Sequence, residues 1–347
     1  MSKPRRDPYF DTARFLLITL VVVGHALEPL VWNHLWIKAA FLCIYAFHIP
    51  TFAFISGRFS SGELRATEAR SLVARILAPY AVFQGLYVLF ARLVLKQSSP
   101  LFFTPYWLMW FLLSLACWKL MLPLVLRLRF PVLVATVVGL AAGCFPDGEV
   151  GYSHSLSRTL VFFPFFVLGY LRRADGLGWL RHRWPRLIAV AIVVGVAALS
   201  VRFAAAVNPG WLYGACSYAH FKVGFATGLA ARALVYLIAS LLGLAFLAFV
   251  PRRETPLAGW GARSMQTFLL HGFIVKACVA LGAFKVLSPR LGALVASGAA
   301  VLVSLALSTR LVERVVFPLV HPPLDWLLVS EHKTEGAAVR PTQSHLQ

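Results

Sequence analysis

Acidic residues are scarce in this chain: 13 Asp and Glu stand against 33 Lys and Arg in 347 residues, and charged residues of both signs make up only 13%. A soluble domain carries about 25% charged residues, so a water-facing surface of ordinary composition is excluded. Cysteine offers no framework. Cys43, Cys117, Cys144, Cys216 and Cys278 are scattered through or near apolar segments with no CxxC spacing, which indicates neither a metal site nor a disulfide scaffold. No internal repeat is visible, and no metal is expected. A cleavable leader is not expected either. The basic start MSKPRRDPYFDTAR is followed by a long apolar stretch that contains Glu28 and Pro29 and lacks a small-x-small cleavage site, so it reads as a retained first span.

What the chain has in quantity is apolar length. It is 59% hydrophobic, with a mean hydropathy of +0.76. The expected fold class is all-α, a polytopic membrane bundle. Runs of about 20 apolar residues predict ten spans near 12–32, 37–57, 73–95, 104–126, 130–146, 157–171, 186–206, 230–250, 264–284 and 291–313, the fifth and sixth being short.

The net charge of +20 would suggest nucleic acid in a soluble protein, but here the basic residues sit at span ends and no nucleic acid is expected. With the N-terminus inside, the inner segments hold Lys3, Arg5 and Arg6, then Arg58, Arg65, Arg70 and Arg75, then Arg127 and Arg129. Further inner groups are Arg172, Arg173, Arg181, Arg183 and Arg186; Arg252, Arg253 and Arg263; and Arg310, Arg314 and Lys333. The outer segments show chiefly Lys38, Lys96, Lys222, Lys285 and Arg290. That asymmetry predicts N-in/C-in topology in the cytoplasmic membrane. The expected division is a membrane domain over 1–329 and a polar, disordered cytoplasmic tail over 330–347.

Arg14 and His25 lie eleven residues apart in the first span, DTARFLLITLVVVGHALEPLVW. Each ionisable group costs at least ~2.5 kcal/mol near the bilayer centre, so an intramembrane His is a functional hypothesis. Eleven residues are about three turns and roughly 16 Å, which places both side chains on nearly one face. An anion clamp at the membrane surface with a base above it fits that spacing. So does a snorkelling Arg with a His packed between helices. Glu28, one turn beyond His25, either orients it or is solvated at the surface. Asp11, one turn before Arg14, either pairs with it or simply favours the helix N-terminus.

In the second span, His48 stands two residues before Pro50, which breaks the helical ladder near Phe47 and hints at a cavity. A kinked helix with His48 bonded to a neighbour is the alternative. His271, in SMQTFLLHGFIV, reads as an inter-helix hydrogen bond or a site residue, with Ser264 as a helix cap and Gly272 permitting close packing. The basic segment 58–75 is expected from topology alone. Convergence of Arg14, Arg58 and Arg75 would also make a site for a phosphorylated ligand. The segment PYWLMW at 105–110 is an interfacial aromatic belt or the wall of a sugar or acyl channel. The stretch 207–229 is an interfacial loop, a re-entrant segment or a lid.

The pieces RDPYFDTARFLLITLVVVGHALE (7–28), FHIPTFAFISGRFS (47–60), RSLVARILAPYAVF (70–83), YWLMWFLLSLACWKL (106–120) and SMQTFLLHGFIV (264–275) together resemble the bacterial membrane acyltransferase family 3, and within it the fucose 4-O-acetylase-like branch. The Arg-x10-His spacing matches, and 127–260 carries little of the likeness. The resemblance implies an O-acyltransferase that takes acyl groups, acetyl by default, from cytoplasmic acyl-CoA to a hydroxyl of a sugar, glycan or glycolipid. It matches His25 and Arg14 to the family's paired His and Arg, and His48, Arg70 and Arg75 to its second-span His and basic entrance.

In the mechanism that joins both readings, Arg14, Arg58, Arg70 and Arg75 hold the donor's phosphates and ribose end. His25 is the base, and His48 or Glu28 orients it or stabilises charge. Direct transfer and a covalent acyl-His both remain open. The rival class is a secondary transporter or flippase for a sugar or lipid-linked sugar.

Overall fold

The computed structural model describes residues 7–32, 34–97, 104–145, 155–324 and 326–327. The tail expected from Ser330 lies outside the described residues. Among those described, every regular element is helical and there is no strand. The α-helices are α1 (Pro8–Leu27), α2 (Leu35–Arg58), α3 (Ala66–Leu72), α4 (Ala78–Leu93), α5 (Trp110–Val125), α6 (Pro131–Ala141) and α7 (Leu156–Leu171). They continue with α8 (Arg183–Phe203), α9 (Gly210–Tyr213), α10 (Phe225–Phe249), α11 (Pro256–Gly261), α12 (Ser264–Ala280), α13 (Pro289–Leu307) and α14 (Arg310–Val320).

Among the described residues, seven helical stretches are long and apolar enough to cross a membrane. Three shorter apolar helices, Pro131–Cys144, Leu156–Leu171 and Ser264–Ala280, accompany them and fall on the fifth, sixth and ninth expected spans.

Local chemistry sets the boundaries. Asp7 caps α1, accepting from the Tyr9 N–H at 3.0 Å, and Pro8 opens the helix where no N–H is needed. The first span, expected near 12–32, runs over Pro8–Leu30; α1 ends at Leu27 and a 3-10 turn, Glu28–Leu30, carries it on, because Pro29 has no N–H to donate. The third span starts earlier than expected. It runs from α3 through a π-helical stretch, Val73–Leu77, into α4. There the Ala78 N–H reaches back five residues to the Val73 carbonyl, immediately before Pro79, which has no N–H to give. Ser264 is the first residue of α12 rather than its cap; Arg263 holds that position.

Helices α1 and α2 form the hub. α1 packs against α2, α11, α12 and α13, and α2 packs against α7, α8 and α10. The Tyr9 hydroxyl ties α1 to α10 by donating to the Leu247 carbonyl at 2.6 Å. At the α2–α7 crossing the two backbones come close together. A Cβ on Gly57 would strike the Phe166 carbonyl, and a Cβ on Gly169 would strike the Phe54 carbonyl. Each glycine therefore receives the other helix's backbone, the small-residue packing by which membrane helices gain van der Waals contact. At the opposite extreme, α8 buries only Ala189 and exposes Leu187, Ile188, Val190, Val193, Val194, Leu199 and Val201. That surface suits lipid and not water.

Candidate active site

His25 sits in the last turn of α1, and the end of that helix supplies its partner. The 3-10 turn brings Glu28 back so that its Oε2 lies 3.2 Å from His25 Nδ1. The Tyr45 hydroxyl, from α2, lies 3.1 Å from the same nitrogen. A carboxylate only accepts, so a hydrogen bond to Glu28 needs the hydrogen on Nδ1, the tautomer that leaves the ring's lone pair on Nε2. Three rings surround the imidazole. Trp107 meets it edge-on at 4.5 Å, Tyr45 edge-on at 6.0 Å, and His271 stacks at 5.6 Å with 27° between planes.

Two chambers meet at His25. One, of about 100 Å³, is lined by Glu28, Tyr45, His48, Trp107, Arg158 and Tyr213 as well as His25. The other, of about 160 Å³, runs along α1 from Arg14 past Ile18 and Val21 to His25, with Phe52, Phe111 and Phe268 among its apolar walls. His25, Ile49, Leu108 and Trp110 border both. The Arg14-to-His25 face read from spacing is thus the wall of a cavity. The Glu28 chamber is polar and aromatic, and the Arg14 chamber is greasy with one cation at its far end.

His48 shares the Glu28 chamber with His25, and Tyr45 stands between them, 4.7 Å from the His48 ring. The His48 Nδ1–H donates to the Ile44 carbonyl at 2.8 Å, leaving Nε2 as its acceptor. Pro50 borders a different cavity, an apolar one of about 90 Å³ between α2, α7 and α10. The Thr51 hydroxyl donates to the Phe47 carbonyl there at 2.8 Å.

Of the four candidate arginines, only Arg14 borders the Arg14 chamber. It pairs with Asp11 at 2.9 Å and lies over the Phe59 ring at 4.4 Å. Arg58 lies over Phe10 at 4.4 Å and donates to the Arg172 carbonyl. Phe10 and Phe59 meet edge-on at 5.6 Å, so Arg14 and Arg58 are brought together through two interleaved rings. Arg70 is half-buried on α3, and Arg75 is exposed in the π-helical stretch.

Other residues complete the surroundings of His25, and of these Tyr45 was not legible as a site residue. Tyr45 looks in sequence like one aromatic among many in an apolar span. Leu212 and Tyr213, from the long 207–229 segment, close one wall of the Glu28 chamber. His271 is fully buried; its Nδ1–H donates to the Thr267 carbonyl at 2.9 Å, and its Nε2 has no hydrogen-bond partner among the described residues. Trp107 shows that PYWLMW reaches a chamber wall. Its φ of +41° places a bulky residue in left-handed backbone, which costs roughly 1–2 kcal/mol. No group of three or more His, Cys, Asp or Glu able to hold a metal occurs among the described residues.

The acyltransferase domain of the acyltransferase 3 family matches residues 7–309, nearly the whole chain and every site residue above. The chain belongs to the acyltransferase 3 family. Family membership covers α1 through α13 and so includes the middle segments, which carry little likeness by eye. Among curated relatives, nodulation protein NolL of Mesorhizobium japonicum is 28% identical over 216 residues, 56% of each chain. NolL of Sinorhizobium fredii is 40% identical over 65 residues, 18% of each chain. The match therefore spans little more than half the length of the first relative. No solved structure matches the chain.

Proposed function

We propose that this protein is a membrane O-acyltransferase that moves an acyl group, acetyl by default, from acyl-CoA to a hydroxyl of a sugar, glycan or glycolipid. One observation carries the reading: His25, with its Nδ1 side held by Glu28 and Tyr45, stands at the border of two chambers of opposite character. A transferase needs its base where donor and acceptor meet. The Arg14 chamber takes the donor arm, with its thioester end at His25 and its phosphates toward Arg14 and Arg58, and Arg70 and Arg75 adding positive charge at the approach. The Glu28 chamber takes the acceptor, since its tryptophans and tyrosines suit the faces of a sugar.

In the proposed step, His25 Nε2 takes the proton of the acceptor hydroxyl as that oxygen attacks the thioester carbon. The C–S bond breaks, and the departing thiolate recovers the proton. Glu28 holds the imidazolium that forms between these events, and His48 adds a second imidazole to the acceptor side. Replacing Glu28 by glutamine removes the charge but keeps the shape. A hydrogen bond to a charged group contributes ~1.5–3 kcal/mol, so kcat should fall roughly ten- to a hundredfold with little change in KM for either substrate. Steady-state kinetics of the two proteins side by side checks this.

We also propose ten crossings with both termini cytoplasmic, the three shorter helices completing the seven long ones. This puts Arg14 at the cytoplasmic end and Glu28 at the outer end of α1. Support comes from the positive charge gathered on alternate connections. Single cysteines introduced on successive connections should label from alternate sides in intact cells.

The test of function is transfer of label from radioactive acetyl-CoA to a pool of small sugars and lipids by purified protein in nanodiscs. Absence of both transfer and acyl-CoA binding by folded protein would reject the enzyme and favour the transporter class. Arg14→Gln should raise KM for acyl-CoA about tenfold, the scale of one lost charge-assisted contact, while leaving the acceptor KM unchanged.

A further inference from the structure

Gln84 is a fully buried amide in the apolar α4 helix, and the mechanism above does not use it. Burying an amide is unfavourable unless its hydrogen bonds are made. Gln84 makes both at one place. Its Oε1 accepts from the Tyr106 N–H at 2.8 Å, and its Nε2 donates to the Thr104 carbonyl at 2.9 Å. The side chain thus grips the backbone on either side of Pro105, immediately before Trp107.

Trp107 is the residue whose backbone needs holding. A bulky side chain at a φ of +41° is a genuine outlier, and such a conformation persists only where the surroundings over-determine it. Besides Gln84, the Tyr106 ring stacks on Tyr87 at 5.5 Å, the Met109 N–H closes the turn on the Tyr106 carbonyl at 2.9 Å, and Lys276 Nζ lies over the indole at 4.4 Å. Relaxing φ to an ordinary negative value would redirect the chain after Tyr106 and withdraw the indole. The indole is what meets the His25 ring at 4.5 Å. Hydrogen bonds at Nδ1 anchor one edge of that ring and leave it free to tilt about the anchor. The Trp107 edge on one side and the His271 face on another remove the tilt.

We propose that Gln84 is a positioning residue: it pins Trp107 in left-handed backbone so that the indole fixes the direction of His25 Nε2 at the border of the two chambers. This rests on the reading of His25 as the base. No residue of this brace touches the donor's phosphate end, so it bears on turnover and not on donor binding.

The experiment is a double-mutant cycle in nanodiscs with Gln84→Met, Trp107→Gly and both together. Methionine keeps the volume of Gln84 and removes both bonds. Glycine adopts a positive φ without strain and removes the ring. Each single change should lower kcat tenfold or more while KM for acyl-CoA stays within twofold. The double variant should be no worse than the poorer single one, because both act through the same ring. Losses that multiply, or a wild-type kcat in Gln84→Met, would overturn the proposal.

A readout independent of activity runs in parallel: the ring nitrogen resonances of His25 in 15N-histidine-labelled protein, assigned by their loss in His25→Ala. They should move in both single variants, while those of the exposed His182 stay put. Should Gln84→Met fail to fold, Trp107→Gly alone decides, and unchanged His25 resonances there refute the brace. Should wild-type protein transfer no acyl group at all, the function reading falls, and the resonances still decide whether Gln84 and Trp107 fix the His25 ring.

Discussion

His25→Ala is expected to lower acyl transfer by about 10²–10⁴-fold, the range that a positioned general base contributes, with acyl-CoA still bound. The expectation follows from where the side chain stands. It borders both chambers, its Nδ1 side is engaged by Glu28 and Tyr45, and its Nε2 side is the one left for chemistry. The Arg14 end of the proposed donor chamber is about three turns away along α1, so removing the imidazole should leave the proposed phosphate contacts in place. Transfer of label and acyl-CoA binding, measured on the same nanodisc preparation, separate the two effects. Full transferase activity in a folded His25→Ala protein would remove His25 from the mechanism. Loss of binding together with loss of transfer would instead make His25 part of the donor site. Asp11, Phe59 and Arg58 hold the Arg14 end without any contribution from His25, which is why the two functions should come apart.

Gly169→Ala is expected to be strongly destabilising for so small a substitution. Its added Cβ would meet the Phe54 carbonyl well inside van der Waals contact, and the obstacle is backbone that cannot rotate away. Overpacking a side-chain core costs typically 1–3 kcal/mol. With helix backbones as the colliding parts, the cost here should reach roughly 3 kcal/mol or more, because α2 and α7 must separate along their whole crossing. Gly57→Ala, which meets the Phe166 carbonyl in the reciprocal position, should behave alike. Gly195→Ala on α8 is the control: nothing lies within 4 Å of its added Cβ, and it should be tolerated. Thermal melting and the yield of monodisperse protein in detergent measure all three. Equal stability of the Gly169 and Gly195 variants would mean that the α2–α7 crossing is not as close as described. Such a failure would reach the site as well, since α2 carries Tyr45 and His48 into the Glu28 chamber.

Much of the architecture was legible because membrane solvent imposes a local rule. A stretch that must satisfy its backbone bonds internally and face lipid is apolar throughout, so the long spans stand out in sequence. The Arg14–His25 face was legible for a similar reason: eleven residues on one continuous helix fix relative direction without any knowledge of what surrounds it. Helix ends were less so. Pro29 turned the end of the first span into a 3-10 turn and Pro79 drew a π-helical stretch into the third, both by withholding an N–H that an apolar count does not register.

The sequence by itself determined the membrane class, the helical composition, the family likeness and the pairing of an Arg and a His on one helix face. All of these rest on composition or on spacing within a single helix. Only the tertiary structure decided that Glu28 turns back onto His25, that Tyr45 stands between His25 and His48, and that Arg14 borders the apolar chamber along α1 while Arg58, Arg70 and Arg75 do not. It also decided that a tryptophan in left-handed backbone stands against His25, and that a glutamine 23 positions before it bonds to the backbone leading into it. Apart from the local His25–Glu28 pair, these contacts join residues on different elements, and their energies depend on distances of 3–6 Å set by how the helices cross. No periodicity within one span encodes that crossing. It arises from backbone fitting backbone at places such as Gly57 and Gly169.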